Sequence, residues 1–484
     1  MGLKTGAEYI DSIKYLKLQA HIMGEMAKNV PDHPLAGPSL KAVAETFEGA
    51  HSDDEEVRGL FRTHSPVCGE EINRFTHLHQ STQDLMKKVM LQRYCGNVTA
   101  CCFQRCVGLD AANAVFSVTY ECDRKHGTSY HQRFRDYWRR VQLEDLVVDG
   151  AMTDPKGDRS RRPAEQVDKD LYLRVVERKS DGVVVSGAKL HQTGMLNSHE
   201  IIVMPTMSLR VGEEDWAICF AVPTNTPGIR YIYGRQASDT RKLEGLPGDV
   251  GNPSFGGQEV MTVFDNVFVP EERIFLNGEV DFSGLLVERF AAYHRQSYGG
   301  CKVGVGDVLI GATALIARMN GVEKASHIRD KLVEMIHLNE TMFACGIACS
   351  ALGHQTLAGN YEIDMLLANV CKLNVTRFPY ELARLATDVA GGLLGTMPSA
   401  KDLEDEVAGP YIKKYLATTQ GVEVIDRIKV LRMIENLVAG AGSVAYLIES
   451  MHGAGPPTAQ RIMIGRQGDI EGKINKVKQL LDIA

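Results

Sequence analysis

No surplus of basic charge marks this chain: 54 Lys and Arg stand against 61 Asp and Glu in 484 residues, a formal net charge of −7. A nucleic-acid surface needs a basic stripe to meet phosphates. None runs through the sequence, and nucleic acid is not an expected partner. Long apolar runs are also missing. Thr341 to Tyr361 has no Asp, Glu, Lys or Arg, but its apolar stretch stops near Leu352 and is followed by His354, Gln355 and Asn360. Leu437 to Ile448 is shorter and reads as a buried helix. Both fall below what a bilayer span needs, so no membrane partner is expected. Lys4, Glu8, Asp11 and Lys14 interrupt any apolar leader, and the chain is expected to start as folded protein. Repeats and low-complexity segments are absent, and Gly304-x-Gly306 lacks the preceding strand that a dinucleotide fingerprint requires.

Eleven cysteines are present. A disulfide framework belongs to small secreted domains, so in a chain of this length they read as reduced thiols or metal ligands in a reducing, cytoplasmic setting. The length exceeds one ordinary hydrophobic core and predicts two or three domains. Helical periodicity holds from about 7 to 140, with Tyr9, Ile13, Leu16 and Ala20 on one stripe of an expected helix over residues 7 to 30. Residues 71 to 106 also read as helical. From about 147 short β-rich runs take over: Leu171 to Glu177, Val183 to Ala188, Ile201 to Met204, Trp216 to Val222, Arg230 to Tyr233 and Val260 to Val269. Ser180-Asp181-Gly182 signals a hairpin between the first two. Helices return after Pro270, with Val303 to Met319, Lys324 to Leu352 and Ile363 to Ala390 as long candidates. The expected division is a helical domain over 1–146, a β-barrel or sandwich over 147–278 and a helical bundle over 279–484.

Cysteine and histidine spacing supplies the first candidate site. His294 and Cys301, seven residues apart, differ by about 20° around a helix axis and about 10 Å along it. Cys102 and Cys106 repeat the shared face at i,i+4. If the faces meet, three thiols and one imidazole surround a point. Cys345 and Cys349 have equal spacing in an apolar context, so spacing alone does not separate ligands from core cysteines. Structural zinc, an iron–sulfur cluster and plain packing all stay open here, although gaps of three and six suit a cluster better than a zinc knuckle. Gly299-Gly300 inside the helix suggests close approach of a bulky group.

Other candidates are weaker. The loop Met152, Thr153, Asp154, Pro155, Lys156, Gly157, Asp158, Arg159 reads as a solvated turn or as an anion-contacting loop for a cofactor diphosphate. His191, Gln192 and Thr193 offer donors and acceptors at a pocket rim. Glu449 closes an uncharged run from Asn436, which fits a partly buried general base or a helix-capping carboxylate. Glu259, after Gly256-Gly257-Gln258, is equally open.

Together, Cys102-Phe-Gln-Arg-Cys106-Val-Gly, the 151–159 loop, His191 to Gly194, Tyr293 to Gly304 and Glu449 to Gly455 resemble the 4-hydroxybutyryl-CoA dehydratase family over nearly the whole chain. Residues 401 to 420 do not match clearly. The resemblance implies an acyl-CoA-dehydrogenase-like fold, a homotetramer, FAD and one [4Fe-4S] cluster. It implies Cys102, Cys106, His294 and Cys301 as cluster ligands and the 152–159 loop with His191, Gln192 and Thr193 as flavin contacts. Gln104, Thr193, Glu259, His294, Tyr298, Lys302 and Glu449 would line the catalytic site. The implied reaction is radical dehydration of 4-hydroxybutyryl-CoA to crotonyl-CoA, with isomerisation of vinylacetyl-CoA. His294 and Glu449 would be the bases, with Tyr298 and Lys302 at the leaving group. The alternative is a flavin-dependent aromatic monooxygenase of the same fold, which would not need the three cysteines.

Overall fold

A computed structural model describes residues 2–484. Six helices open the chain: α1 (Gly6–Lys14), α2 (Gly37–Glu48), α3 (Glu55–Phe61), α4 (Thr82–Thr99), α5 (Cys106–His126) and α6 (Tyr130–Leu143). Thr5 caps α1, and Glu8 returns the bond in a capping box. The helix stops at Lys14 instead of running to 30. Met23 and Gly24 both have positive φ and close a two-residue hairpin between β1 (Ala20–Ile22) and β2 (Glu25–Met26). The helix expected across 71–106 also divides: β3 (Arg62–His64) and β4 (Glu71–Asn73) form a hairpin, and a non-helical loop over 100–105 separates α4 from α5. Cys102 therefore sits in a loop and Cys106 is the first residue of α5.

The remaining strands are β5 (Val148–Ala151), β6 (Arg174–Lys179), β7 (Gly182–Thr193), β8 (Glu200–Val203), β9 (Ile218–Pro223), β10 (Ile229–Tyr233), β11 (Glu259–Pro270), β12 (Ile274–Asn277), β13 (His354–Gln355) and β14 (Tyr361–Glu362). One sheet runs β2-β1-β10-β11-β7-β6 and a second β12-β9-β8-β5. The hairpin expected at Ser180-Asp181-Gly182 joins β6 to β7. The two sheets share a core, with the rings of Phe220 and Phe264 meeting edge to face at 6.2 Å. Of the expected barrel or sandwich, the barrel is not formed. Both sheets are open, and β1 and β2 are contributed by residues before 147.

The C-terminal part holds α7 (Val280–Met319), α8 (Ser326–Ala351), α9 (Met365–Val375), α10 (Phe378–Ala390), α11 (Ala400–Glu404), α12 (Ala408–Tyr415), α13 (Val424–Val438), α14 (Glu449–His452), α15 (Pro457–Gln467) and α16 (Ile470–Leu481). The helix expected from Val303 begins 23 residues earlier, giving a 40-residue α7 with Tyr293 to Lys302 at its middle. The single helix expected over 363–390 breaks between α9 and α10, where Pro379 cannot donate to a preceding turn. The one expected over 437–448 breaks as well: α13 ends at Val438, and a π-helical turn over Val444–Ile448 leads into Glu449.

Glycine lets α7 approach its neighbours at backbone distance. A Cβ on Gly300 would lie 2.4 Å from Val89 O of α4, one on Gly304 2.2 Å from Arg93 O, and one on Gly299 2.7 Å from Gly346 Cα of α8. Gly299-Gly300 thus serves helix packing, and the bulky neighbours are helices. This packing fixes the side chains that α7 turns toward the 100–105 loop.

Candidate active site

The loop between α4 and α5 is bent by two non-glycine residues with positive φ, Ala100 (50°) and Gln104 (59°). Such a backbone stores strain that the surroundings must hold. The surroundings are dense. Arg105, fully buried, pairs with Asp145 at 2.9 Å and lies over the Phe47 ring at 4.1 Å. Between these anchors Cys102 and Cys106 face α7. Cys106, Cys301 and Tyr298 belong to one buried cluster, and Cys102 is near enough for its charge to act on Tyr298. Burial pushes the thiols up: Cys301, where Lys302 opposes it, to about 11, and Cys102, where Glu449 adds to it, and Cys106, where Cys301 and Asp110 add to it, further. Cys345 and Cys349 stay in a continuous helix, α8, and bond to Asn374 Nδ2 and Gly346 O as ordinary core thiols.

His294 completes the set from one turn below Tyr298, their rings 5.1 Å apart. Its Nδ1 is 2.9 Å from Asp110 Oδ2, a carboxylate that also accepts from Ser297 Oγ at 2.9 Å and from Lys88 Nζ. Lys88 is fully buried and donates further to Tyr293 O and Gln296 Oε1. Burial alone would raise Asp110, but Lys88 and then His294 outweigh it and hold the carboxyl below its ordinary range. A carboxylate on Nδ1 puts the ring proton there and leaves the Nε2 lone pair free, as a ligating or proton-accepting imidazole needs. Among the described residues, no three His, Cys, Asp or Glu side chains are grouped to hold a single metal ion.

On the other side of Tyr298 the carboxylates crowd. Lys302 Nζ donates to Glu449 Oε2 at 2.5 Å and to Ala445 O at 2.5 Å. Glu259 Oε1 accepts from Thr193 Oγ1 at 2.6 Å, across the β7–β11 ladder. Burial and then the Glu449 carboxylate push Glu259 well above the carboxylate range. Burial works against the Lys302 ammonium, but Glu449 and the thiols more than offset it and raise the group. Two lysine nitrogens lie near the Tyr298 ring, Lys302 Nζ at 5.0 Å and Lys372 Nζ at 4.7 Å from its centre, and burial, then Lys302 and Arg295, bring Lys372 down to about 7. A Cβ on Gly453 would fall 1.8 Å from its hydroxyl, so only glycine fits there.

The 152–159 loop and the end of β7 adjoin, Leu190 N donating to Thr153 O at 2.9 Å. Asp154 is buried against Lys189 at 2.9 Å and the Leu173 amide at 3.0 Å, so its carboxylate anchors the loop. Met152, Thr153, Pro155 and Lys156 are half-buried; Gly157, Asp158, Arg159 and His191 are exposed; Gln192 is buried. Positive φ at Lys156, Gly157 and His191 turns both segments tightly.

The amino-terminal model of the 4-hydroxyphenylacetate 3-hydroxylase family matches residues 5–276 and the carboxy-terminal model residues 283–482. The 4-hydroxybutyryl-CoA dehydratase/vinylacetyl-CoA-Δ-isomerase of Clostridium aminobutyricum is 55% identical over 490 residues, covering 99% of this chain and all of that one. The chain belongs to the 4-hydroxybutyryl-CoA dehydratase family. A solved archaeal 4-hydroxybutyryl-CoA dehydratase from N. maritimus, described as oxygen tolerant, superposes with a TM-score of 0.97 at 51% identity, over 100% of this chain and 96% of that one. More distant structures show the fold alone. The oxygenase component of 4-hydroxyphenylacetate 3-monooxygenase, complexed with FAD, gives 0.86 at 21% identity over 99% and 98% of the two chains. Butyryl-CoA dehydrogenase of Megasphaera elsdenii gives 0.50 at 12% over 96% and 98%, in keeping with the acyl-CoA-dehydrogenase-like expectation.

Within this dehydratase site, spacing missed Asp110, Lys88 and Lys372. Asp110 follows Cys106 by four residues in the apolar run Leu109-Asp-Ala-Ala, and Lys372 interrupts Asn369-Val-Cys-Lys-Leu. A lone charge inside an apolar helix was the available signal. Lys88, next to Lys87, gave none.

Proposed function

We propose that this chain dehydrates 4-hydroxybutyryl-CoA to crotonyl-CoA and moves the double bond of vinylacetyl-CoA, with FAD and a [4Fe-4S] cluster bound and with the subunits assembled as a homotetramer. The observation that carries the reading is the joining of two groups of side chains around Tyr298: two buried thiols and a half-buried one with an anchored imidazole, and the neighbouring carboxylates Glu449, bonded to Lys302, and Glu259, bonded to Thr193.

The residues fit both cofactors. Buried thiols pushed up by desolvation remain protonated unless a cation takes the proton's place, and Cys102, Cys106, Cys301 and the free Nε2 of His294 are a suitable donor set for iron. The flavin would lie against residues 152–159 and 191–193, whose tight turns and exposed Arg159 suit a diphosphate. When bound, the flavin supplies reversible one-electron exchange and the cluster supplies Lewis-acidic iron.

The substrate sets the problem for the protein's own groups. A thioester acidifies C2–H but not C3–H, so two protons of different acidity must be taken and a poor leaving group released. Glu449, whose Oε2 accepts from Lys302, serves as one base. His294, its Nδ1 tied to Asp110, would be an exchangeable ligand, and its Nε2 serves as the other base when that nitrogen is not ligating. Glu259, raised by burial and then by Glu449, holds a proton that it can return. Tyr298 stands between the two groups, where its hydroxyl can donate a hydrogen bond to the departing oxygen; burial, then Glu449 and the thiols, push the phenol well above its ordinary range, so it keeps its proton while orienting that oxygen.

Anaerobic purification tests the assignment. About four irons and about four acid-labile sulfides per subunit, with FAD and formation of crotonyl-CoA, are expected. Flavin without iron, together with oxygen-dependent hydroxylation of a phenol, would instead favour the monooxygenase reading. His294→Ala, with FAD and iron measured in the same sample, should abolish dehydration; undiminished turnover would remove His294 from the mechanism.

A further inference from the structure

Three fully buried amides form a line between the amino-terminal helices, the β sheet and the site. Asn197 stands at the centre, in the turn after β7. Its Nδ2 donates to Gln104 Oε1, its Oδ1 accepts from Gln258 Nε2 at 2.6 Å, and Ser39 Oγ lies 3.1 Å from the same oxygen. The backbone of Asn197 is clamped as well, its carbonyl accepting from Tyr9 Oη at 2.6 Å and its N–H donating to Gly194 O at 3.0 Å. All three amide residues are 0% exposed.

The line ends in two orphans. Gln258 Oε1 and Gln104 Nε2 are buried without a hydrogen-bond partner. A buried donor without an acceptor is costly and calls for an explanation. Gln104 is held in a left-handed backbone, with Gly194 against its Cβ and Gly257 beside its Nε2. Both glycines border the catalytic pair, Gly194 following Thr193 and Gly257 lying two residues before Glu259. The free N–H therefore belongs to the carboxylate side of the site.

An acyl-CoA substrate brings two oxygens that accept hydrogen bonds, the thioester carbonyl and the C4 hydroxyl. On the reading proposed above, the hydroxyl departs on the side of His294 and the thiols. The carbonyl is then the acceptor left for the side of Glu259. We propose that Asn197 is a positioning residue: by occupying Gln104 Oε1 it fixes the polarity of the Gln104 amide, so that Nε2 donates to the thioester oxygen as C2–H is deprotonated. Negative charge grows on that oxygen as the proton leaves, so a donor fixed in advance lowers the barrier more than it tightens binding. The inference rests on the dehydratase reading.

The polarity makes the test specific. Asn197→Asp keeps the acceptor for Gln258 but offers Gln104 no donor, which turns the Gln104 amide around and points its oxygen at the substrate carbonyl. In the holoenzyme, with FAD and iron matching wild type, we expect kcat to fall about 10- to 100-fold with KM within about threefold. Exchange of the C2 hydrogens of 4-hydroxybutyryl-CoA with deuterated solvent, read by mass spectrometry, should fall in parallel. Gln104→Ala should be at least as damaging, and the double variant no worse than Gln104→Ala alone, because Asn197 acts through that side chain. If Asn197→Asp does not give folded holoenzyme, Asn197→Leu carries the same cycle without a buried charge. Wild-type rates in the Asn197 variants, or losses that multiply in the double variant, overturn the role of Asn197. A wild-type holoenzyme that does not dehydrate 4-hydroxybutyryl-CoA overturns the parent reading, and this inference with it.

Discussion

The two sides of Tyr298 are built on opposite principles. On the His294 side the charged groups are matched: Asp110 meets Lys88, Ser297 and His294, and Lys88 meets two further acceptors, although Gln92 Oε1 beside Ser297 is left without a partner. On the Glu449 side matching is incomplete: Glu449 Oε1 and Gln104 Nε2 are buried without partners, and Glu259 is pushed up beside a second carboxylate. A satisfied network resists movement of protons and side chains, whereas an unsatisfied one is ready to accept a ligand or a proton. The first side is suited to holding one base, His294, in a fixed orientation, and the second to shuttling protons between carboxylates and a substrate that comes and goes.

The comparison is broken most sharply at Glu449. Glu449→Gln removes a base while keeping an acceptor for Lys302, and crotonyl-CoA formation should fall about 10²- to 10⁴-fold, with vinylacetyl-CoA isomerisation falling alongside it. Loss of dehydration alone would mean that Glu449 serves only the leaving group. Asp110→Asn should act more mildly, about 10- to 100-fold. Its effect should show in retention of iron during anaerobic gel filtration against a chelator, because the change is in how His294 is held. Equal loss of turnover with full iron retention would place Asp110 among the proton-handling groups and erase the contrast.

Much of the architecture was readable, for physical reasons that differ by region. The β region declared itself through short β-rich runs bounded by turn residues, and β7 to β11 fall where those runs lie. Short runs left barrel and sandwich open, and the barrel alternative failed because closure depends on which edges pair, and β1 and β2 arrive from residues 20–26, where a helical stripe hid a Met23-Gly24 turn. Spacing treated Cys102/Cys106 and Cys345/Cys349 alike. The difference lies in backbone that spacing does not report: left-handed Ala100 and Gln104 break the first pair out of a helix, while the second stays inside α8. Gly299-Gly300 marks a close approach in the sequence but not what approaches, since a neighbouring helix and a cofactor ask for the same absence of Cβ. Asp110 and Asn197 act on other side chains across more than 90 residues of sequence, a relation that local pattern does not carry.

Packing offers a smaller test of the rigid side. Gly300→Ala drives a methyl into Val89 O, a backbone atom with no free rotamer, and should cost about 1–3 kcal/mol. Gly59→Ala in the exposed α3, with nothing within 4 Å, should instead stabilise by about 0.5–1 kcal/mol. Thermal midpoints moving in opposite directions would tie the stability of the His294 side to the α4–α7 backbone contact.

Acid sensitivity completes the comparison, because acid could act on the site or on the fold. His199 lies away from the thiols, its Nε2 2.8 Å from Ser12 Oγ and its Nδ1 accepting from the Val147 amide at 3.0 Å. Burial, then Lys4 and Arg105, hold it down to about 3 from an ordinary value of 6.5. The unfolded chain therefore binds a proton between these values that the folded chain refuses, so stability is full above pH 6.5 and drains as pH falls toward 3. One such group gives a slope of at most about 1.4 kcal/mol per pH unit. His199→Gln keeps an amide able to replace one of the two bonds but cannot take up the proton, and denaturant unfolding followed from pH 7 to 4.5 should lose that share of its slope. If the slope is unchanged, acid acts through other groups. If the slope falls while the acid limb of turnover stays, then that limb belongs to the site's own carboxylates and not to loss of the fold.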